Sequence, residues 1–582
     1  MDRTGRVPNY DRSPYVPAGT ASDLEIGWGA IARRLRATGA RVIVIDAYPG
    51  TFREDLEELV DRLAPDERLC STDALKSEEE IDALVAADVT DDAVFGRITQ
   101  HDLVDLFDPA LLRRMSEAIQ DIEGRVVVYG TGASLVARGD VLVFADLARW
   151  EIQQRQRGKE IANLGSSNFR LRPGLKYKRS FFVDWQLADR HKLLLFDDIN
   201  FFLDTTEPAR PKLANAAAVW TALRGATKRP FRVVPFFDPA PWGGHWMEEV
   251  CDLPDNAPNH GWCFDCVPEE NSILLGFGHE RFELPSLDLV LRYPTELLGE
   301  SVHHRFGGEF PIRFDLLDTV DGGNLSLQVH PLTGYIKEQF GMAYTQDESY
   351  YMLDAAEGAS VYLGLKKGAD RRAMLRDLRR AEQGGFLFPD EKYVNRFTAR
   401  RHDHFLIPAG TVHCSGTNSL VLEISATPYI FTFKLWDWGR LGLDGRPRPL
   451  HIDHGECSIQ WDRDTSLVRD RLINQISPLR AENEWYEERT GLHEAEFIDT
   501  HRHWFVGRVP HTGGTGVNVL NLVQGEEAII ESPDRAFDPF VVHFAETFIV
   551  PAAAGPYTIT PYGRAEGTEL ATIKAFVRAD LD

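Results

Sequence analysis

The sequence predicts a multi-domain protein: an N-terminal α/β unit built on a parallel sheet, followed by an all-β C-terminal half that carries a helical insert. Three observations predict it. Short β-branched runs alternate with helical periodicity in the first 180 or so residues. Beyond residue 231, alternating apolar and polar segments broken by Gly and Pro dominate. A chain of 582 residues exceeds what one hydrophobic core supports. The expected division is 1–180 for the α/β domain, 181–230 for a connecting segment, 231–483 for a first β domain with the insert, and 484–582 for a second β domain.

Taken in order, residues 1 to 20 are rich in Pro, Arg and Tyr and are expected to lie extended over a surface. A helix reads from Gly27 through Leu35. Arg41–Asp46, Arg125–Tyr129 and Val141–Phe144 are continuous apolar runs, the signature of strands buried on both faces. Tyr48-Pro-Gly-Thr51 turns the chain into a helix with apolar positions at Leu56, Leu59, Val60 and Leu63. Phe181–Trp185 and Leu193–Phe196 read as strand-like, and Ala214–Leu223 as a helix. A second helix, Asp370 to Gln383, carries many Arg residues and reads as a solvated insert.

Composition narrows the function classes. Lys and Arg number 64 against 89 Asp and Glu, a formal charge of −25. Such a chain is a poor partner for nucleic acid or an anionic membrane surface. No apolar run reaches the length of a membrane span, and residues 1–10 lack the apolar stretch of a leader, so a cytoplasmic protein is expected. Six Cys fit a reducing compartment, and Cys263-Phe-Asp-Cys266, with no second pair, reads as two ordinary thiols.

The chemistry concentrates in three stretches: Asn324–Pro331, Asp347–Tyr351 and Leu406–His413. Gln328 and His330 are two apart in an alternating run, which puts both side chains on one strand face. Glu348 stands in an aromatic strand-like run, and His413 follows the Pro-Ala-Gly turn signal. Two imidazoles, a carboxylate and an amide oxygen suit zinc or a similar divalent ion, with positions left open for substrate oxygens.

The order Gln-Val-His-Pro, a Glu in an aromatic strand, Ile-Pro-Ala-Gly-Thr-Val-His, then Trp436-Asp-Trp-Gly-Arg440 resembles the class I mannose-6-phosphate isomerases from about Phe231 onward. The resemblance implies a cupin (double jelly-roll) fold and metal ligands at Gln328, His330, Glu348 and His413. It implies aldose–ketose isomerisation, in which a divalent ion gathers O1 and O2 while a base moves a proton between C1 and C2. Glu423, in the strand after His413, and Lys434, before the Trp-Asp-Trp run, are the candidate catalytic groups. Phe548–Tyr557 echoes Phe405–His413 without its His, so the second β domain is expected to be metal-free.

Departures from that family bear on the substrate. Gln346 stands where the family often has Lys, and Asp315, with Arg313 two residues earlier, occupies a second Lys position. Arg313, Asp315 and Gln346 are therefore the candidate substrate-binding residues, and a neutral sugar, or an acid gripped by Arg313, is as open as a sugar phosphate. A non-catalytic sugar sensor that keeps the metal site is the alternative reading.

The N-terminal α/β layout resembles P-loop kinases of the uridine-kinase type, in Ile43–Asp46, Val126–Gly130 and Val143–Asp146 ahead of a helix with Arg149, Arg155 and Arg157. Its turn reads Asp46-Ala-Tyr-Pro-Gly-Thr-Phe-Arg-Glu54, with Arg53 near the family's Lys and Glu54 near its hydroxyl. That pattern implies a kinase-like scaffold without kinase activity; a live kinase fused to an isomerase is the other reading.

Overall fold

The computed structural model describes residues 8–426, 431–491, 496–513 and 515–578. The chain divides into two compact units, one of residues 15–225 with 269–292 and the other of the described residues of 1–14, 226–268 and 293–582. Residues 181–225, expected to be a connector, carry helices and strands of the first unit, and the 269–292 excursion returns to that unit from within the expected first β domain.

The first unit is a seven-stranded sheet. Its five parallel strands are β1 (Val42–Ala47), β2 (Glu67–Cys70), β3 (Val126–Gly130), β4 (Val141–Asp146) and β5 (Phe201–Asp204), in the spatial order β2-β3-β1-β4-β5. Lys212–Asn215 and Leu24–Ile26 extend the β5 edge antiparallel. Every residue of β1, β3 and β4 is buried, because helices cover both faces. The Arg53–Leu63 helix buries Leu56, Leu59, Val60 and Leu63 against this sheet.

The strand-like readings of Phe181–Trp185 and Leu193–Phe196 are corrected. Residues Pro173–Leu195 run as continuous helical turns, with a π-helical segment at Ser180–Asp184. A short apolar run has no period of its own, and here the buried residues on either side, Lys176 through Leu195, set the helical one. The expected extended segment forms a strand, Tyr15–Gly19, parallel to Ser272–Phe277 of the same unit.

Two carboxylates close the C-terminal end of the parallel sheet. β1 and β4 are neighbours whose connections leave in opposite directions, the switch point at which doubly wound sheets bind ligands. Asp46, at the end of β1, accepts from Gly132 N (2.9 Å), Ser134 N (2.9 Å), Ser134 Oγ (2.6 Å) and lies 3.0 Å from His191 Nε2. Those donors and the imidazole hold it below the usual carboxylate range although burial alone would raise it. Asp146, at the end of β4, holds the buried Lys192 at 3.0 Å, and Asp288 reaches the same ammonium at 2.5 Å.

The second unit holds two β barrels. In the first, β6 (Trp262–Cys266), β7 (Arg313–Asp318), β9 (Glu348–Ala355), β12 (His404–Ile407) and β14 (Ser419–Ser425) form a sheet in the order β12-β9-β14-β7-β6, edged by Phe236–Asp238. Facing it are β8 (Leu327–Val329), β10 (Ser360–Leu365), β11 (Val394–Thr398), β13 (His413–Ser415) and β15 (Phe433–Trp436), in the order β11-β10-β13-β8-β15. Cys263 and Cys266 lie buried on β6, in no disulfide. The insert is a helix over Arg371–Glu382, capped by Asp370 on Ala373 N at 2.8 Å. It is amphipathic rather than solvated all round, since Met374, Leu375, Leu378 and Ala381 are buried.

The second barrel comprises β16 (Trp485–Gly491), β17 (Ile498–Phe505), β18 (Val509–His511), β19 (Tyr557–Pro561) and β20 (Leu570–Val577), among ten strands in two sheets. Its core is made by Phe505, Val509, Leu520, Phe548, Tyr557 and Leu570. Among the described residues, no helix is long and apolar enough to cross a membrane.

Replacing Asp46 by Ala leaves His191, the Ser134 hydroxyl and the amides of Ala47, Gly132 and Ser134 without their acceptor. A loss of about 2–4 kcal/mol is expected, read as a lower urea midpoint. An unchanged midpoint would show that Asp46 does not brace the sheet end.

Candidate metal centre

Three strands converge to build the site. β8 pairs with β13 so that Gln328 lies opposite His413, and with β15 so that Gln328 also faces Lys434. His330 leaves the end of β8 on the Gln328 side. Glu348 opens β9 on the opposite sheet, and its carboxylate reaches across the barrel.

The carboxylate of Glu348 stands between the two imidazoles, with Oε2 3.1 Å from His330 Nε2 and Oε1 2.8 Å from His413 Nε2. The rings are 4.9 Å apart between centroids. Each ring is fixed from behind: His330 Nδ1 donates to Phe431 O at 2.7 Å and His413 Nδ1 to Thr411 O at 2.8 Å. With the proton committed to Nδ1, each Nε2 lone pair points inward, the tautomer a metal ligand requires. Gln328 Nε2 is 3.2 Å from His413 Nε2, and a half-turn of the amide presents its oxygen instead.

These groups are almost inaccessible: His330 and His413 are 0% exposed, Glu348 1% and Gln328 6%. Burial would raise the Glu348 pKa, but the flanking imidazoles hold it well below the usual carboxylate value. Burial opposes the charging of His330, and Glu348 overrides that and raises its pKa. His330 Nε2 and Glu348 Oε1 have no hydrogen-bond partner, an expensive arrangement in a protein interior unless a cation is shared. Among the described residues this is the group of three His, Cys, Asp or Glu whose ligand atoms all lie within 4.8 Å of one another. A neutral-N, carboxylate-O set of this size fits zinc or a similar divalent ion.

The surrounding face is set by register. Arg313, Ser425 and Glu348 stand in one row across β7, β14 and β9, and Asp315, Glu423 and Tyr350 in the next. All six therefore project to the barrel interior. Gln346 Nε2 donates to Glu348 Oε2 at 2.9 Å and to Glu423 Oε1 at 3.4 Å, linking ligand and neighbour. Burial and the charges of Glu348 and Asp315 push the Glu423 pKa well up. Arg313 Nε donates to Asp315 Oδ2 at 2.9 Å, and its guanidinium lies over the Phe264 ring. Lys434 shares the face of Gln328, and burial pulls its ammonium pKa down to about 7.

Some contributors carry no legible signal in spacing. Arg463 Nη1 donates to Pro408 O and Ala409 O, both at 2.6 Å, and so fixes the turn that delivers His413. Asp347 accepts from Ala409 N at 2.7 Å on the other side. Gly410 has φ +88° and gives its N–H to His330 O at 3.0 Å, and a Cβ there would meet Ser458 O at 2.8 Å. Asp437 accepts from Arg440 at 2.6 Å and from Arg448 at 2.9 Å, bracing the strand beside Gln328.

The likeness is to mannose-6-phosphate isomerases. A mannose-6-phosphate isomerase of Streptococcus mutans is 28% identical over 214 residues, 36% of this chain and 62% of that protein. The match thus spans less than two thirds of that relative. The crystal structure of the Bacillus subtilis mannose 6-phosphate isomerase superposes with a TM-score of 0.49 at 19% identity, covering 60% of this chain and 99% of that one. A zinc-bound mannose 6-phosphate isomerase superposes with a TM-score of 0.45 at 14% identity, over 60% and 99% of the two chains. Residues 27–228 match a family described as a domain of unknown function, DUF8485.

Two substitutions test the centre. His330→Ala is expected to weaken retention of Zn2+ by more than about 100-fold, measured by metal analysis after dialysis against graded chelator. Gly410→Val forces a β-branched residue to positive φ in the His413 turn, and should lower stability by about 1–3 kcal/mol together with metal retention. Unchanged retention in both variants would contradict the assignment.

Proposed function

We propose that the protein is a metal-dependent aldose–ketose isomerase resembling mannose-6-phosphate isomerase, with Gln328, His330, Glu348 and His413 as the ligands. The observation that carries this reading is the Glu348 carboxylate held between two inward-pointing Nε2 atoms, with an elevated-pKa carboxyl, Glu423, linked to it through Gln346. A divalent ion held there supplies Lewis acidity toward the adjacent oxygens of a hydroxy-carbonyl unit. Glu423 is the proton carrier in this reading. Its ionised form takes the proton from C2 and its acid form returns it to C1, and an elevated pKa suits both duties. Lys434, brought near neutrality by burial, stands on the Gln328 side to stabilise charge on oxygen.

The substrate in this reading is a neutral sugar. Around the ligands the interior presents Glu348, Glu423 and Asp315 beside one guanidinium, and that guanidinium is already engaged by Asp315. A phosphate dianion entering such a face would be poorly paired. Arg313 and Asp315, as an oriented pair, and Gln346 suit hydroxyl groups.

The α/β unit is, in this reading, a kinase-like scaffold without kinase activity. Asp46 occupies the amides of the turn after β3, and Asp288 with Asp146 occupies Lys192. Arg53 turns along its own helix to Glu57 at 2.7 Å. Carboxylates of the chain thus fill the places where a phosphate would bind.

Incubation of the zinc-loaded protein with a panel of aldoses and their 6-phosphates in D2O, followed by NMR, tests the isomerase reading. Deuterium is expected at C2 or C1 of a neutral sugar, falling by about 100-fold or more in Glu423→Gln, as for loss of a general base. Exchange into mannose 6-phosphate alone would overturn the neutral-substrate reading, and sugar binding without exchange would identify a sensor.

A further inference from the structure

The second barrel carries a polar cluster in its interior that the isomerase chemistry does not use. On β17, His501, His503 and Phe505 share one face, and Phe505 belongs to the barrel core, so that face points inward. The same holds on β18 for Val509 and His511, and on β19 for Tyr557 and Ile559. From β16, Glu487 joins them opposite His503 in register.

Glu487 Oε1 lies 3.2 Å from His503 Nε2 and 2.7 Å from His501 Nδ1, with Lys574 Nζ at 3.9 Å. A carboxylate on Nε2 fixes the His503 tautomer, so that the Nδ1 lone pair is the one left for another partner. His503 Nδ1 has no hydrogen-bond partner, and neither do His511 Nε2 nor the Tyr557 hydroxyl. All three side chains are at least nine-tenths buried, at 2%, 6% and 0% exposure. The rings of His503 and His511 are 4.6 Å apart between centroids, close to the 4.9 Å of the His330–His413 pair. Tyr557 stacks on His511 at 4.5 Å and 9° between planes.

Three unpartnered buried donors and acceptors in one barrel interior are available to a ligand. We propose that His503 Nδ1 and His511 Nε2 bind a second divalent transition-metal ion, with the Tyr557 oxygen as the adjacent third donor and Glu487 as the positioning carboxylate behind His503. Two neutral imidazoles backed by a carboxylate form the same assembly that the first barrel builds from His330, His413 and its backbone carbonyls. The absence of a third imidazole or carboxylate ligand makes this the weaker of the two centres. This proposal departs from the metal-free second barrel expected from the missing echo of His413: its candidate imidazoles come from β17 and β18.

The test counts metal on the full-length protein. Wild type, His413→Ala, His511→Phe and the double variant are stripped with chelator, reloaded with Co2+, desalted, and assayed for bound metal and visible absorption. About two equivalents are expected in wild type, about one in each single variant and none in the double variant. Phe at 511 keeps the ring stacked on Tyr557 and removes only the nitrogens. One equivalent in wild type that is lost in His413→Ala and kept in His511→Phe would overturn the second site. If His511→Phe does not fold, His413→Ala decides alone, since it retains one equivalent only if the second barrel binds metal. One equivalent lost in His511→Phe and kept in His413→Ala would instead remove the first centre, and the isomerase reading with it.

Discussion

The interior of the first barrel is organised around one carboxylate. Glu348 crosses from one sheet to meet imidazoles delivered by the other, and all three groups are buried. A buried anion between neutral rings is costly, and the arrangement is sound only when a cation shares it. The backbone carbonyls of Phe431 and Thr411 hold each ring by its Nδ1 and so aim both Nε2 atoms at Glu348. The turn that carries His413 is held by Arg463, Asp347 and a positive-φ glycine, so the geometry of the centre is imposed by the scaffold.

The α/β unit solves a related electrostatic problem in the opposite sense. The C-terminal end of its parallel sheet gathers backbone amides and a buried ammonium, a natural environment for an anion. The chain satisfies it internally with Asp46, Asp146 and Asp288. Asp288 arrives on the 269–292 excursion, so a segment distant in sequence brings a second carboxyl group to Lys192. The two units therefore differ in kind. One gathers imidazoles around a buried carboxylate, and the other gathers carboxyl groups around backbone amides and a buried ammonium.

The candidate side chains were legible beforehand through the order of three stretches that resembles the isomerase family, and strand spacing is consistent with part of it. Gln328 and His330 are two apart on a strand, and His413 follows a Pro-Ala-Gly turn, so both must face one side. The buried parallel strands were equally plain from their unbroken apolar runs. The helical state of Phe181–Trp185 was not, because five apolar-rich residues satisfy either period. Nor was Arg463, whose role depends on which carbonyls lie beside it in space.

The sequence by itself determined the buried parallel strands, through local periodicity, and offered Gln328, His330, Glu348 and His413 as candidates through the order of motifs that resembles the isomerase family. Only the tertiary structure decided that Glu423, Arg313 and Asp315 share the face of Glu348, that Asp288 meets Lys192, and that His503 and His511 meet inside the second barrel. Those pairings join strands far apart in the chain, and inter-strand register is fixed by the packing of whole sheets, which no local pattern contains.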